Sequence, residues 1–402
     1  MPEIETNLIY CGDNLEILAK FPENSIDLIY ADPPFFSNKT YEIIWGNGAE
    51  LKVYEDRWKG GINVYIERMK ERLWQCWRVL KDTGLMYLHC DWHANHRLRV
   101  AMDEIFEERN FRNEIIWCYT GPSGATRDFP RKHDTILRYS KSDNYFSNLD
   151  AVRIPYKELH SDKGKTARIW GKKGILQNEA VRQDYLKKGK IPEDYWLDIP
   201  SGGHISPQER TGYTTQKPRA LLERIIKASS KEGDIVLDPF CGCGTTLVVA
   251  HKLGRKWIGI DVSPLACDVM KRELTKVGVN NIRIIGAPKT IEELKQLTPF
   301  QLQGWVIDRI GGASSSKKSA DMGIDGYTFM TRNPIQVKQS ENVGRKIIDE
   351  FETVVRRTAT ERQGKKTGYI IAFGFTKSAY EEAARAKQEG LEIILVKVEE
   401  ID

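Results

Sequence analysis

Apolar positions along the first 118 residues follow two alternating rhythms. The stretch IDLIYAD (26–32) is a nearly unbroken apolar run ending on a carboxylate, which predicts a buried strand. VYIERMKERLWQCWRVLK repeats its apolar positions at three- and four-residue intervals and predicts a helix. TGLMYLHC then predicts a strand, WHANHRLRVAMDEIFEE a second helix and NEIIWCY a further strand. Strand and helix alternating at this spacing predict a parallel sheet covered by helices on both faces. From about 119 to 210 the rhythm fades into Gly-, Pro-, Ser- and charge-rich stretches such as GPSGATRDFPRKHD and DIPSGGHISPQERTG, which read as loops. It resumes at TTQKPRALLERIIKASSKEGD, a helix with Leu221, Leu222, Ile225 and Ile226 on one face. Strand IVLDPF, loop CGCGTT, helix LVVAHKLG, strand KWIGID, helix LACDVMKRELTKVG and strand NIRIIG follow.

A charged linker, APKTIEELKQLTP, separates this unit from a second one. That unit reads as helix PFQLQGWVIDRIGG, loop ASSSKKSADMG, strands around IDGYTFM and PIQVKQS, a long helix, strand GYIIAFGF, helix SAYEEAARAKQEG and strand LEIILVKV. A chain of 402 residues has room for two domains, each able to bury a core of its own. The boundaries expected are 1–290 and 298–402.

Composition adds little until it is localised. The net charge of +5 is only mildly basic, but residues 151 to 190 hold eleven Lys and Arg against four Asp and Glu, interleaved with Tyr156, Trp170 and Tyr185. Cations neutralise phosphates and flat rings pack on bases or sugars, so this stretch fits nucleic acid as well as it fits a solvated surface excursion. No apolar run reaches the roughly 18 residues of a membrane span, and the N-terminus lacks a signal-peptide pattern, so a cytoplasmic protein without membrane contact is expected. Seven cysteines without CxxC pairs read as reduced thiols. Cys241 and Cys243 lack the partner pair or His cluster that zinc requires.

The stretch DPFCGCGTT carries the first chemical signal. Asp238 ends a strand, Gly242 and Gly244 permit a tight turn close to a ligand, and Asp261 ends the next strand about twenty residues on, where dinucleotide folds place a ribose-binding acid. An ordinary βα turn is the plain alternative, and a nicotinamide dehydrogenase the chemical one. A dehydrogenase prefers GxGxxG to seat a pyrophosphate, whereas this turn continues GTT and has an extra acid before it. A cofactor with a ribose, an ammonium and no phosphate suits carboxylates better, and S-adenosylmethionine is such a cofactor.

DPFCGCGTT, the preceding TTQKPRALLERII and the N-terminal ADPPF together resemble the amino-methyltransferases of DNA, in the β-group where the catalytic motif precedes the cofactor motif. The resemblance runs from about residue 7 to 286 and includes FRNEIIWCY and RKHDTILRYSKSDNYF. It implies an α/β, Rossmann-like S-adenosylmethionine-dependent fold and double-stranded DNA as partner, with a second copy of the chain as a candidate partner in a homodimer. It further implies that Asp238, Phe240, Gly242, Gly244 and Thr245 form the cofactor pocket and that Asp261 holds the ribose hydroxyls. Lys217 with Pro218 would lie near the methionine end, and Asp13 near the adenine ring. Cys243 stands where relatives commonly carry serine. The basic segment at about 119–210 falls where relatives place their target-recognition region.

The ADPPF motif has a chemical reading of its own. An exocyclic amine on a base is a poor nucleophile because its lone pair is delocalised into the ring. A carboxylate and a backbone carbonyl that accept its two N–H bonds aim that lone pair at an electrophilic methyl. Asp32 and the Pro33 carbonyl are the candidates, with Pro33 and Pro34 fixing the backbone. Phe35, with Phe36 in reserve, offers a face for a base extruded from the duplex. Taken alone, Asp-Pro-Pro-Phe also fits a turn after a strand. By the family pattern, Asp before Pro-Pro implies adenine N6 as target, with cytosine N4 the alternative.

In the second unit, GIDGYTFMTRNPIQVKQS resembles the Mrr-type branch of the restriction-endonuclease-like PD-(D/E)XK fold, which uses Gln where most relatives have an acid. The resemblance covers about residues 298 to 398. It implies Asp325, Gln336 and Lys338 as a catalytic trio, with Asp325 and Gln336 as ligands for Mg²⁺ and Asp321 as an extra acid. In PFQLQ, Gln301 stands where that fold often has a metal-binding acid. The chain is therefore expected to be a DNA methyltransferase fused either to a nuclease or to a non-catalytic DNA-binding or assembly module.

Overall fold

The computed structural model describes residues 4–401 except 37–39, 45–49, 56–60, 122–125, 156–169, 172–173, 176–178, 212, 214, 311, 315–322, 329–331 and 360–365. Asp321, Tyr156 and most of the basic segment 151–190 lie outside the described residues or where only the backbone is described.

Nine strands form the larger sheet: β1 (Leu8–Cys11), β2 (Ile26–Ala31), β3 (Leu80–Cys90), β4 (Phe111–Cys118), β5 (His133–Ser140), β6 (Tyr195–Trp196), β7 (Ile235–Asp238), β8 (Lys256–Asp261) and β9 (Arg283–Ile285). Their order across the sheet is β6-β4-β5-β3-β2-β7-β8-β1-β9. All neighbours run parallel except β5, which is antiparallel to both β3 and β4. β5 lies inside the stretch that reads as loop. Its residues Thr135–Ser140 are all buried, so no polar alternation marks it, and Arg138 interrupts the apolar run.

The helices follow from their apolar stripes. α1 (Gly61–Val79) buries Tyr65, Ile66, Met69, Leu73, Cys76 and Val79, and with α2 (Asn95–Phe106) it covers one face of the sheet. α3 (Arg219–Ser229), α4 (Thr245–Lys252) and α5 (Pro264–Lys276) cover the other. Alternate residues of β2 divide between the two cores, Leu28 and Tyr30 to one face and Ile29 and Ala31 to the other.

The second sheet has five strands in chain order: β10 (Gly312–Ser314), β11 (Gly326–Thr328), β12 (Pro334–Lys338), β13 (Lys366–Ala372) and β14 (Leu391–Lys397). The first three pair antiparallel and the last three parallel. α7 (Arg345–Thr358) and α8 (Lys377–Gln388) pack on one face, and α6 (Pro299–Arg309) lies on the other. β10 straddles the end of the stretch that reads as helix PFQLQGWVIDRIGG and the start of loop ASSSKKSADMG, and its short run of small residues carries no strand signal. α6 serves both units: Leu302 and Val306 join the core of the second sheet, while Ile307 is buried in the core of the first.

Among the described residues, no helix is long and apolar enough to cross a membrane.

Candidate active site

The strand order places β2 directly beside β7, so two motifs separated by some two hundred residues end at the same edge. A cleft of about 300 Å³ opens there. Its walls include Asp13, Asp32, Pro33, Pro34 and Phe35 from the first part of the chain, and Lys217, Asp238, Phe240, Gly242, Thr245 and Asp261 from the second. Pro218 and Gly244, expected at the cofactor, are not among the residues that line the cleft. Pro218 is the residue before α3. Gly244 caps α4 at φ +81°, where an added Cβ would sit 2.8 Å from Met270 Cγ, so its lack of a side chain serves the α4–α5 contact.

The acids of the second motif are tightly held. Asp238 is buried, accepting from the Phe240 N–H (3.0 Å) and the Thr246 hydroxyl (2.6 Å). Burial pushes its carboxyl up to about 7 against these hydrogen bonds, and the charges of Asp32 and Asp261 add to the rise. Asp261 accepts from Gly242 N–H (2.8 Å) and Ser263 N–H (2.9 Å), and burial raises it to about 6. Gly242 has φ +53°, and its Cβ position faces the Tyr213 ring at 3.5 Å, so the turn brings backbone close to the cleft. Asp13 caps the short helix Asn14–Leu18 through Leu15 N–H (2.9 Å) and forms a two-oxygen pair with Arg72 at 2.8 and 2.9 Å.

Asn14, which sequence reasoning passed over, also lines the cleft. Its amide donates to the Pro239 carbonyl (2.7 Å) and its Oδ1 is buried without a partner. The signal for it was slight: one more polar residue after YCGD. A concave site with buried carboxylates, an orphaned amide oxygen and a close-approaching glycine fits a nucleoside that carries hydroxyls and an amine.

In the first motif, Asp32 Oδ2 pairs with Lys217 Nζ, while Asp32 Oδ1 is buried and without a partner. Lys217 also lies 5.2 Å from the Phe35 ring centroid. The Lys217 ammonium thus meets the Asp-Pro-Pro-Phe motif, while the family resemblance associates it with the methionine end of the cofactor. The Pro34 carbonyl accepts from the Tyr65 hydroxyl at 2.8 Å, bracing the turn against α1. Phe35 and Phe36 part company: Phe35 lines the cleft, whereas Phe36, at φ +62°, packs against Tyr65 with ring centroids 5.7 Å apart.

Beneath Phe35 lies a polar chain that the sequence did not flag. The His89 ring sits 5.6 Å from Phe35, with Nδ1 at 2.8 Å from the Tyr30 hydroxyl and Nε2 at 3.2 Å from Asp134, which also accepts from Tyr119 (3.0 Å). Burial acts to raise the Asp134 carboxyl, but His89, Lys217 and Tyr119 together hold it below its ordinary range.

The second unit gathers its own residues. Asp325 precedes β11, and its carboxylate accepts from the Val337 N–H at 2.7 Å, between Gln336 and Lys338 on β12. Spaced two apart, Gln336 and Lys338 project to the same face of that strand. The Gln336 amide donates to the Gly323 carbonyl (2.9 Å), and its Oε1 is buried without a partner, as suits an oxygen ligand. Gln301 looks elsewhere: its oxygen accepts from Thr298 N–H (2.9 Å) and its amide donates to the Val262 carbonyl beside Asp261 (3.2 Å). Gln303 meets the site instead, donating to the Asp325 carbonyl (2.9 Å).

Comparison with known proteins identifies the family. Residues 26–272 match the family model N6_N4_Mtase, described as DNA methylase, and residues 290–402 match Mrr_cat, described as restriction endonuclease. Type II methyltransferase M.HpaI of Haemophilus parainfluenzae is 32% identical over 268 residues, 66% of this chain and 73% of that protein. DNA adenine methyltransferase YhdJ of Escherichia coli K12 is 32% identical over 262 residues, 64% of this chain and 79% of that protein. Among solved structures, M1.HpyAVI in complex with SAM aligns over 66% of this chain and 98% of its own at 21% identity, with a TM-score of 0.41. The chain belongs to the N6/N4 DNA methylases, which act on DNA, and joins its methylase to a restriction-endonuclease domain.

Proposed function

We propose that this protein methylates adenine N6 in double-stranded DNA, on a base extruded from the helix, and that residues 298–402 form a Mg²⁺-dependent nuclease acting with it in restriction and modification. Residues 1–290 form the methyltransferase, with target recognition at about 119–210. S-adenosylmethionine is the cofactor, and when bound it would supply an electrophilic methyl group whose bond to sulfur breaks as the new bond to nitrogen forms, the sulfur leaving as a neutral thioether. Asp238, Asp261, Asn14 and Asp13 would hold its polar parts.

The observation that carries the reading is the unpartnered, buried Asp32 Oδ1 facing a cleft that also contains Phe35. A buried carboxylate oxygen without a donor is costly unless a ligand supplies one. Lys217 holds the other oxygen, so Oδ1 is the atom left to accept an amine hydrogen. With the Pro33 carbonyl accepting the second hydrogen, the amine lone pair points away from both acceptors. As nitrogen gains its fourth bond, the Asp32 charge stabilises the developing cation, and the amine proton then leaves to water. Phe35 holds the base by its face.

Mass analysis of nucleosides from plasmid incubated with the protein and S-adenosylmethionine tests this directly. N6-methyladenine is expected, and Asp32→Ala removes it while cofactor binding stays within about threefold, because the Asp32 carboxylate bonds the base and not the cofactor. N4-methylcytosine as the product would replace the adenine reading. For the second domain, the position of Gln301, whose side chain turns toward Val262 where an acid would stand, supports a second reading in which residues 298–402 would be a non-catalytic DNA-binding or assembly module.

A further inference from the structure

The loop joining β4 to β5 leaves the sheet at the edge that carries Asp32 and Asp238. Cys118, ending β4, pairs with His133, and Cys90, ending β3, pairs with Thr135. The base of this hairpin is tied to the floor of the cleft. Tyr119 N–H donates to the Lys132 carbonyl (3.0 Å), and Asp134 links the Tyr119 hydroxyl to His89, whose ring faces Phe35. Beyond that anchor stands Phe129, 95% exposed, followed by Pro130, which stiffens the backbone. Next to it, the Arg131 guanidinium carbon lies 4.1 Å from the Trp92 ring centroid, and Trp92 stacks on His93 at 3.8 Å.

A single exposed aromatic needs no explanation. This one differs in its company. It projects from a hairpin braced against the floor of the cleft, with exposed Arg127, Asp128 and Arg131 around it in the chain, beside a stack whose top is a guanidinium. The two arginines outweigh the one acid, which suits phosphates, and an apolar ring flanked by cations is the equipment of proteins that open a base stack.

Resting on the base-extruding methyltransferase reading, we infer that the β4–β5 hairpin enters duplex DNA: Phe129 fills the space that the extruded base leaves, and Arg131, braced on Trp92, contacts a flanking phosphate. Filling the gap prevents the base from falling back, so the wedge acts on the open state of the substrate and not on the cofactor.

The test uses the full chain and two synthetic duplexes containing the site mapped for the wild type, one fully paired and one with an abasic position opposite the target. The second costs less to open and has less need of a wedge. Phe129→Ala is expected to lower kcat/KM on the paired duplex by about tenfold or more, and by at least about fivefold more than on the abasic duplex. Phe129→Leu restores most of the loss, and S-adenosylmethionine affinity and thermal midpoint stay at wild-type values. A smaller difference between the two duplexes overturns the wedge. Wild-type protein that leaves no methylated base on plasmid DNA, so that no site can be mapped, overturns the methyltransferase reading itself, and the wedge with it.

Discussion

The two buried acids of the cleft, Asp238 and Asp261, are the groups whose protonation responds to pH near neutrality. Asp238 and Asp261 stand at about 7 and about 6, each above the ordinary carboxylate value, because burial disfavours their charge. The folded state therefore binds their protons more tightly than the unfolded chain does. Their contribution to stability is best at low pH and declines as pH rises from about 4 toward about 7. A ligand that needs these groups ionised must displace their protons in that range. S-adenosylmethionine affinity, measured by calorimetry between about pH 5.5 and about pH 7.5, is expected to weaken on acidification, by up to about tenfold per pH unit for each group titrating. Asp238→Asn flattens the upper part of the profile. A dissociation constant that does not change with pH would show that neither acid ionises on binding. At this scale the sequence was informative about residue type and strand-end position, and silent about pairing: Asp32 with Lys217, and Asn14 with Pro239, meet across 185 and 225 residues.

Among the elements, the turn into α4 is the most demanding. Gly244 combines φ +81° with a Cβ position 2.8 Å from Met270 Cγ and 3.3 Å from Met270 Cα, while Gly233, at φ +83°, has nothing within 4 Å. Gly233→Ala therefore isolates the backbone cost, about 1 kcal/mol, and Gly244→Ala adds displacement of α5, for about 2–4 kcal/mol in total by urea denaturation. Equal losses at the two sites would mean that α5 yields without cost. Elements with a clear stripe, such as α1 and α3, were legible from periodicity. β5 was not, because a strand buried on both faces loses alternation and Arg138 breaks its apolar run; the Arg138 guanidinium reaches Asn113 at 3.1 Å inside the sheet. β10 was hidden for the opposite reason, its pairing with β11 compensating for residues of little strand propensity.

In the whole molecule, α6 joins the two units. Ile307 completes the first core, Leu302 and Val306 the second, and Gln301 donates to the carbonyl next to Asp261. The nuclease proposal is tested on this intact chain. Supercoiled plasmid incubated with Mg²⁺, with and without S-adenosylmethionine, is expected to be cleaved by the wild type, and Lys338→Ala is expected to slow cleavage by about a hundredfold or more, as loss of a group acting only in the transition state does. Plasmid intact in every condition would leave the C-terminal unit as a binding module.

What the sequence determined by itself was chemistry and local form: carboxylates at strand ends, prolines that stiffen one turn, glycines that open another, and helices written in their apolar stripes. These are short-range properties, carried by residue type and spacing. The tertiary structure decided which of them meet. Placing β2 beside β7 turned two distant turns into one cleft; the buried ends of Asp32 and Asn14 acquired unpartnered oxygens only because packing excluded water from them; and Gln301 is held by Thr298 of its own unit and the Val262 carbonyl of the other. Burial and long-range contact are properties of the packed chain, so no window of sequence contains them.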